Sequence, residues 1–242
     1  MRNYATAQNI GGRAVQCDAT AVYTHRNGAR AYVLLDGIGD REYVQEWTRA
    51  AARRLARTAA RLHDAEAGLR AEYDGYAKEP DREGPWGFGP KAAAVVAVTA
   101  PGLPLTVAWC GDSRAYVLAR GTARRLTNDH NLRRVYPPCD MYPEGGNRHK
   151  ITSCLGATAN DARVQAEYQH PAIEAVTVPA ENCRLLLASD GAYEPIEDNA
   201  ATVSTYLVGT PAEAARDLVT TAVAWAGARP DNATALVADL RP

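Results

Sequence analysis

The chain is poor in aromatic residues, which make up 7% of its 242 positions with a single Phe. Its core must therefore be built mainly from Ala, Val and Leu. It has no surplus of either charge, with 27 Lys+Arg against 28 Asp+Glu. A surface that binds nucleic acid ordinarily leaves a basic excess, so that class of partner is not expected. Low net charge at 46% hydrophobic residues excludes a disordered chain. Long apolar runs are missing too. The stretch 92–98 is among the longest and is far too short to span a bilayer. The opening MRNYATAQNIGGR has no apolar core, so it does not read as a signal peptide. The five cysteines (Cys17, Cys110, Cys139, Cys154 and Cys183) are odd in number, scattered and without a C-x-x-C pair. That pattern argues against a disulfide framework or a zinc cluster and for a reducing compartment. The expectation is one cytoplasmic domain over 1–242 with no membrane partner.

Several chemistries are absent as well. No G-x-x-x-x-G-K occurs, so there is no P-loop. Gly37-Ile38-Gly39 lacks a third glycine at position 42, which is Glu. There is no H-E-x-x-H. No cysteine has an arginine six positions on, which removes the phosphate-cradling C-x5-R loop of cysteine phosphatases.

What is present reads as strands in hairpins and helices in blocks. Asn27-Gly28 between the apolar runs 19–24 and 30–36 predicts a hairpin, since both residues tolerate positive φ. Val44, Trp47, Ala51, Leu55, Ala59, Leu62, Leu69, Tyr73 and Tyr76 recur at helical steps, with Gly68 and Gly75 expected to break the helix. Five arginines off that stripe are read as a solvated face. Residues 78–90 read as a loop. The runs 92–99, 105–110, 114–120 and 123–127 predict an antiparallel meander. Residues 136–149, with three prolines and two glycines, read as a surface flap. Strands are expected at 164–168, 175–178, 184–188 and 233–240. Thr210-Pro211-Ala212-Glu213 predicts a capped helix start. The pattern indicates an α+β fold with antiparallel sheets.

Acids at strand ends stand out. Asp36-Gly37 follows YVLL, Asp190-Gly191 follows LLLAS, Asp231-Asn232 precedes the last strand, and Asp112 sits in WCGDSRAY. Singly, these are ordinary turn pairs. Together they project toward one rim, where several carboxylates repel unless a cation neutralises them. With oxygen donors alone, that cation is hard: Mg²⁺ or Mn²⁺, with Ca²⁺ the other candidate.

The residues then resemble the metal-dependent Ser/Thr protein phosphatases, the PPM or type 2C family, in its bacterial type. The matches run in family order: Arg13 and Asp18 in RAVQCDA, DGIG at 36–39, GDSRAY at 111–116, TNDH at 127–130, ITSCLG at 151–156, SDG at 189–191 and DNAT at 231–234. The resemblance implies a four-layer α/β/β/α sandwich of two antiparallel sheets flanked by helices. It implies Mn²⁺ or Mg²⁺ as cofactor, two ions with a weaker third site. Asp36 would bridge two metals, the Gly37 carbonyl would bind one, and Asp190 and Asp231 would hold the first. Asp112 with Asp190 would serve the third. Arg13 would grip phosphate with its planar fork, and Asp18 would orient the attacking water. The implied reaction is hydrolysis of phosphoserine and phosphothreonine in proteins by metal-activated water, without a covalent phosphoenzyme. The implied partners are a phosphoprotein substrate and a partner Ser/Thr kinase.

Three departures from the family pattern stand in the chain. Cys17 replaces the Glu that usually supports the second metal, and a neutral thiol is a poor ligand for a hard ion. Ile38 stands where some members carry a proton-donating His, and Asp40 where Gly is frequent. Cys17 motivates the rival reading of a pseudophosphatase or phosphoprotein-binding regulator. A GDS-type esterase centred on Ser113 is disfavoured, because no D-x-x-H follows near the C-terminus. His25, His63 and His170 are expected to be ordinary histidines, His130 structural, and His149 a flap residue near substrate at most.

Overall fold

The computed structural model describes residues 3–82, 89–179 and 182–240. Two five-stranded sheets stack face to face. Strands β1 (Tyr4–Asn9), β6 (Arg114–Ala119), β7 (Thr122–Arg125), β9 (Cys183–Ala188) and β10 (Ala233–Leu240) form one, in the order β1-β10-β9-β6-β7. Strands β2 (Ala19–Thr24), β3 (Arg30–Gly37), β4 (Ala92–Thr99), β5 (Leu105–Cys110) and β8 (Glu174–Val178) form the other, in the order β2-β3-β4-β5-β8. Every pairing is antiparallel.

Alternating side chains explain the layering, because neighbours along a strand face opposite sides. Along β3, Ala31, Val33 and Leu35 join a core with Leu55, Ala59 and Leu69 of helices α1 (Glu42–Leu62) and α2 (Ala65–Ala77). Tyr32 and Leu34 turn the other way and meet Leu185, Leu187 and Leu236 between the sheets. Leu186, Ala235 and Val237 face helices α5 (Asp190–Asp198) and α6 (Pro211–Trp225). The architecture is thus the expected α/β/β/α sandwich. Helices α3 (Leu132–Val135) and α4 (Asp161–Tyr168) lie in the long connection between β7 and β8.

Several expectations hold closely. The hairpin at 25–29 closes through His25 N–H on the Ala29 carbonyl at 2.8 Å and Gly28 N–H on the His25 carbonyl at 2.9 Å. Only Gly28 takes positive φ, +88°, while the Asn27 side chain instead accepts from Ala29 N–H. The Thr210–Glu213 capping box is formed in both directions. Residues 136–149 have no regular element among them and expose Tyr136, Met141 and Tyr142. All five cysteines are free.

Others are corrected. The N-terminus carries a strand, β1, hydrogen-bonded along β10. The long helix breaks at His63, in the left-handed region at φ 59°, and restarts where Asp64 Oδ1 accepts from Ala67 N–H at 2.7 Å. Gly68 does not break it but lets α2 press on α1, since a Cβ there would lie 2.4 Å from Ala59 Cβ. The run 92–127 is not one meander. After β5 the chain changes sheets at Gly111, whose φ of +106° and close approach to Ala93 exclude a side chain. Residues 164–168 are helical, within α4, because Asn160 caps Arg163 N–H and only Val164 needs a buried face. Helix α5 was not expected at all. Of the anticipated loop at 78–90, residues 83–88 lie outside the described residues.

Candidate metal centre

The sandwich brings five aspartates from distant parts of the chain to one end. Asp18 leads into β2, Asp36 ends β3, Asp112 sits in the turn from β5 to β6, Asp190 opens α5, and Asp231 precedes β10. Antiparallel register places these strand ends together. Gly37 pairs Ala92, Ala94 pairs Cys110, Ala188 pairs both Arg114 and Ala235, and Ala233 pairs Asn9.

Local bonds fix the cradle. Cys17 N–H donates to Asn232 Oδ1 at 2.7 Å, tying the loop before β2 to the start of β10. Ser189 Oγ donates to Asp18 Oδ2 at 3.0 Å and accepts from Thr234 N–H at 3.0 Å. Gln8 Nε2 reaches the Asp18 carbonyl at 3.1 Å and Thr234 Oγ1 at 3.2 Å. Two glycines permit the close approach. A Cβ on Gly37 would lie 2.5 Å from the Cys17 carbonyl oxygen, and one on Gly191 would lie 2.2 Å from that of Asn232. Asp190 and Asp231 each turn one oxygen to the next residue's N–H, at 2.6 and 2.7 Å. Arg13 Nη2 binds Asp231 Oδ2 at 2.5 Å.

The carboxylates feel one another. Burial raises the Asp36 pKa well above its ordinary value, and the charges of Asp18, Asp190, Asp112 and Asp231 add to that push. Burial, with Asp190 and Asp231 beside it, pushes Asp18 up to about 7. Asp112 rises well above its ordinary value through burial and Asp190, and Asp190 rises through burial and Asp231. Asp18 Oδ1 and Asp112 Oδ1 are buried with no hydrogen-bond partner among the described residues. Buried carboxylate oxygens without donors, packed among like charges, either take up protons or share a cation. The donor set is oxygen, which suits Mg²⁺ or Mn²⁺.

The departures are placed as well. Cys17 is buried, its thiol pushed up by burial and by Asp18, and its Sγ lies 3.7 Å from the Arg41 carbonyl oxygen. Such a group stays a neutral thiol at pH 7. Ile38 is exposed, and Asp40 pairs on the surface with Arg41. Ser113 Oγ is buried without a partner among the described residues, so no base serves it as a nucleophile. His130 is buried against His170, with ring centroids 4.1 Å apart, and its Nε2 lies 2.9 Å from Glu174 Oε2. It is structural, as expected.

Sequence reasoning passed over Glu194. It stands one helical turn beyond Asp190 on α5, and His149 joins the two with ligand atoms all within 4.8 Å of one another. Burial and Asp190 push Glu194 up to about 7. The only available signal was the i,i+4 spacing, which carries no weight until a helix is assigned there.

The comparisons with known proteins agree with this geometry. The family model described as Protein phosphatase 2C matches residues 42–135, a segment that contains Asp112 but not the other four aspartates. The chain is 27% identical over 228 residues to the serine/threonine protein phosphatase PstP of Mycobacterium tuberculosis, covering 88% of this chain and 41% of PstP. It thus spans about two-fifths of that relative's length. Among solved structures, the serine/threonine phosphatase of S. agalactiae superposes with a TM-score of 0.74 at 20% identity, over 98% of each chain. The M. tuberculosis PstP/Ppp structure gives 0.65 at 25% identity, over 99% of this chain and 98% of that one. A bacterial serine phosphatase gives 0.71 at 19% identity, over 100% and 98%. Motif order, matched segment and fold coincide, and together they make the chain similar to the bacterial-type PPM phosphatases, the metal-dependent protein phosphatase 2C family.

Proposed function

We propose that residues 1–242 form one phosphatase domain that hydrolyses phosphoserine and phosphothreonine in proteins, using two divalent ions, Mn²⁺ or Mg²⁺, with a weaker third. The observation that carries this reading is the convergence of Asp18, Asp36, Asp112, Asp190 and Asp231 with buried, unpartnered carboxylate oxygens among them. In this reading Asp36 and the Gly37 carbonyl would serve the ion pair, Asp190 and Asp231 would hold the first ion, and Asp112 with Asp190 would serve the third. Bound there, the ions would supply a water acidic enough to attack at neutral pH.

The chain's own residues do the rest. Asp18, held by Ser189, orients that water for in-line attack on phosphorus. Arg13, whose side chain is 43% exposed beside Asp231, would take two phosphate oxygens with its fork. The same charge offsets the negative charge that develops in the transition state. The intracellular phosphoprotein and the partner Ser/Thr kinase that PPM relatives imply are part of this proposal.

A second reading has its own observation. The thiol of Cys17 faces a carbonyl where the family's second metal is usually supported. A protein of this fold with one weak metal site would bind phosphoproteins and turn them over slowly. Hydrolysis of p-nitrophenyl phosphate and a phosphopeptide with Mn²⁺ separates the two. The enzyme reading expects turnover in the wild type and its loss, by at least about a hundredfold, in Asp36→Ala and Asp190→Ala. A wild type no faster than those variants ends it.

A further inference from the structure

Beside the metal centre, along the outer side of α5, lies a second cavity of about 460 Å³ lined by five arginines, Arg114, Arg125, Arg133, Arg134 and Arg148. Four of them are neutralised in place. Arg114 forks onto Asp129 at 2.9 and 2.8 Å and reaches Glu197 at 2.7 Å. Arg125 Nη2 donates to Asp129 Oδ1, the oxygen that also accepts from Arg114 Nε. Arg134 forks onto Glu174 at 2.5 and 3.0 Å. Arg148 forks onto Asp198 at 2.7 and 2.6 Å and touches Glu194 at 3.2 Å.

Arg133 is different. It is half-buried, its Nε is shielded from solvent without a hydrogen-bond partner, and no carboxylate pairs with it among the described residues. Asp198 senses its charge but is already occupied by both Nη atoms of Arg148. Arg133 also lines the neighbouring cavity under the 136–149 flap, so its side chain borders both spaces. A partly desolvated guanidinium with open donors is a site for an oxyanion.

Resting on the phosphatase reading above, we propose that Arg133 binds a second anionic group of the substrate peptide, a carboxylate or a second phosphate, a few residues from the phosphorylated one. The spacing follows from α5. Asp190 belongs to the metal centre and Asp198 faces Arg133, eight positions along the same helix. At about 1.5 Å per residue that is roughly 12 Å, the length of about three to four extended residues. The site would therefore select acidic flanks at that distance, and substrates without a second anionic group, such as p-nitrophenyl phosphate, would not engage it.

The test uses the whole chain with Mn²⁺ and short fluorescent peptides carrying a non-hydrolysable phosphonate analogue of phosphoserine. One is flanked by alanine. The others carry Glu pairs or a second phosphoserine three and four positions away, on either side. Binding is read by anisotropy at low salt. The expected result is a gain of roughly three- to tenfold for one anionic set over alanine. That gain is lost in Arg133→Gln, kept in part in Arg133→Lys, and replaced by a preference for Lys flanks in Arg133→Glu. Turnover of p-nitrophenyl phosphate should be unchanged in Arg133→Gln, which also shows that the variant is folded. Equal affinity for all peptides, or a gain that survives Arg133→Gln, overturns the inference. An anionic preference that depends on Arg133 in a chain that turns over no substrate would uphold the site and defeat only the enzyme reading.

Discussion

Cys17 is the residue where chemistry and family pattern part. It is buried beside Asp18, its backbone N–H held by Asn232 and its thiol directed at the Arg41 carbonyl. Cys17→Glu would add another carboxylate to a crowded, poorly solvated place. In chelator its melting temperature should fall below that of the wild type, because like charges accumulate without compensation. In Mn²⁺ the order should reverse, with tighter Mn²⁺ binding by calorimetry. A variant equally destabilised with and without metal would mean that Glu cannot reach the ions from this position. His170 offers a cleaner titration, away from the metal centre. Burial, with His130 stacked on it, lowers its pKa to about 4. The unfolded chain, with His near 6.5, then binds more protons than the folded one between about pH 4 and 6.5. Its contribution to stability is intact above that window and is lost as pH falls through it. Ring NMR shifts of His170 should stay those of neutral imidazole down to about pH 5, and a midpoint near 6.5 would contradict the packing.

At the scale of elements, Gly68 shows how two helices come together. Gly68→Ala raises intrinsic helix propensity by up to about 1 kcal/mol. It also drives a methyl group into Ala59, at 2.4 Å, which costs about 1–3 kcal/mol of overpacking. Overpacking wins, and urea denaturation should show a net loss of stability, whereas the same change at Gly75, whose nearest neighbour is the flexible end of Arg54, should not. Elements with one strong local signal were legible in the sequence: the Asn27-Gly28 hairpin, the Thr210–Glu213 cap, and β10 to the residue. Those that depend on tertiary context were not. In α4 the order Arg163-Val164-Gln165-Ala166 imitates strand alternation, and one buried side chain gives no helical period. Helix α5 contains Gly191 and Pro195, two poor helix formers, so local propensity gives it little support. The helix stands because Ala192, Tyr193 and Ile196 are fully buried and Arg114 lies 3.7 Å over the Tyr193 ring. β1 pairs at a sheet edge with few apolar residues, so it has almost no pattern to detect.

For the molecule as a whole, the candidate site was more legible than the fold around it. Asp36, Asp112, Asp190 and Asp231 sit at strand ends that turn chemistry marks, whereas Asp18 was found only through the resemblance that orders them. What the sequence could not reveal was the hydrogen-bonded frame of Gln8, Ser189, Asn232 and Thr234, whose partners are up to 226 positions apart. If ions bind where these carboxylates crowd, they bind the folded chain alone, and stability must rise with their concentration. At a hundredfold excess over the dissociation constant the gain is about 2.7 kcal/mol, which Mn²⁺ titration of the melting temperature should reveal in the wild type and not in Asp36→Ala.

Strand β10 is last in sequence yet lies inside its sheet, between β1 and β9. Until it docks, β1 has no neighbour and Cys17 N–H has no acceptor. A polypeptide emerging from the ribosome therefore cannot capture divalent ions in this arrangement before residue 232 has left the exit tunnel. A nascent chain halted before β10 would thus lack the frame that gathers the carboxylates, and any ion bound there would report that the sheet has closed.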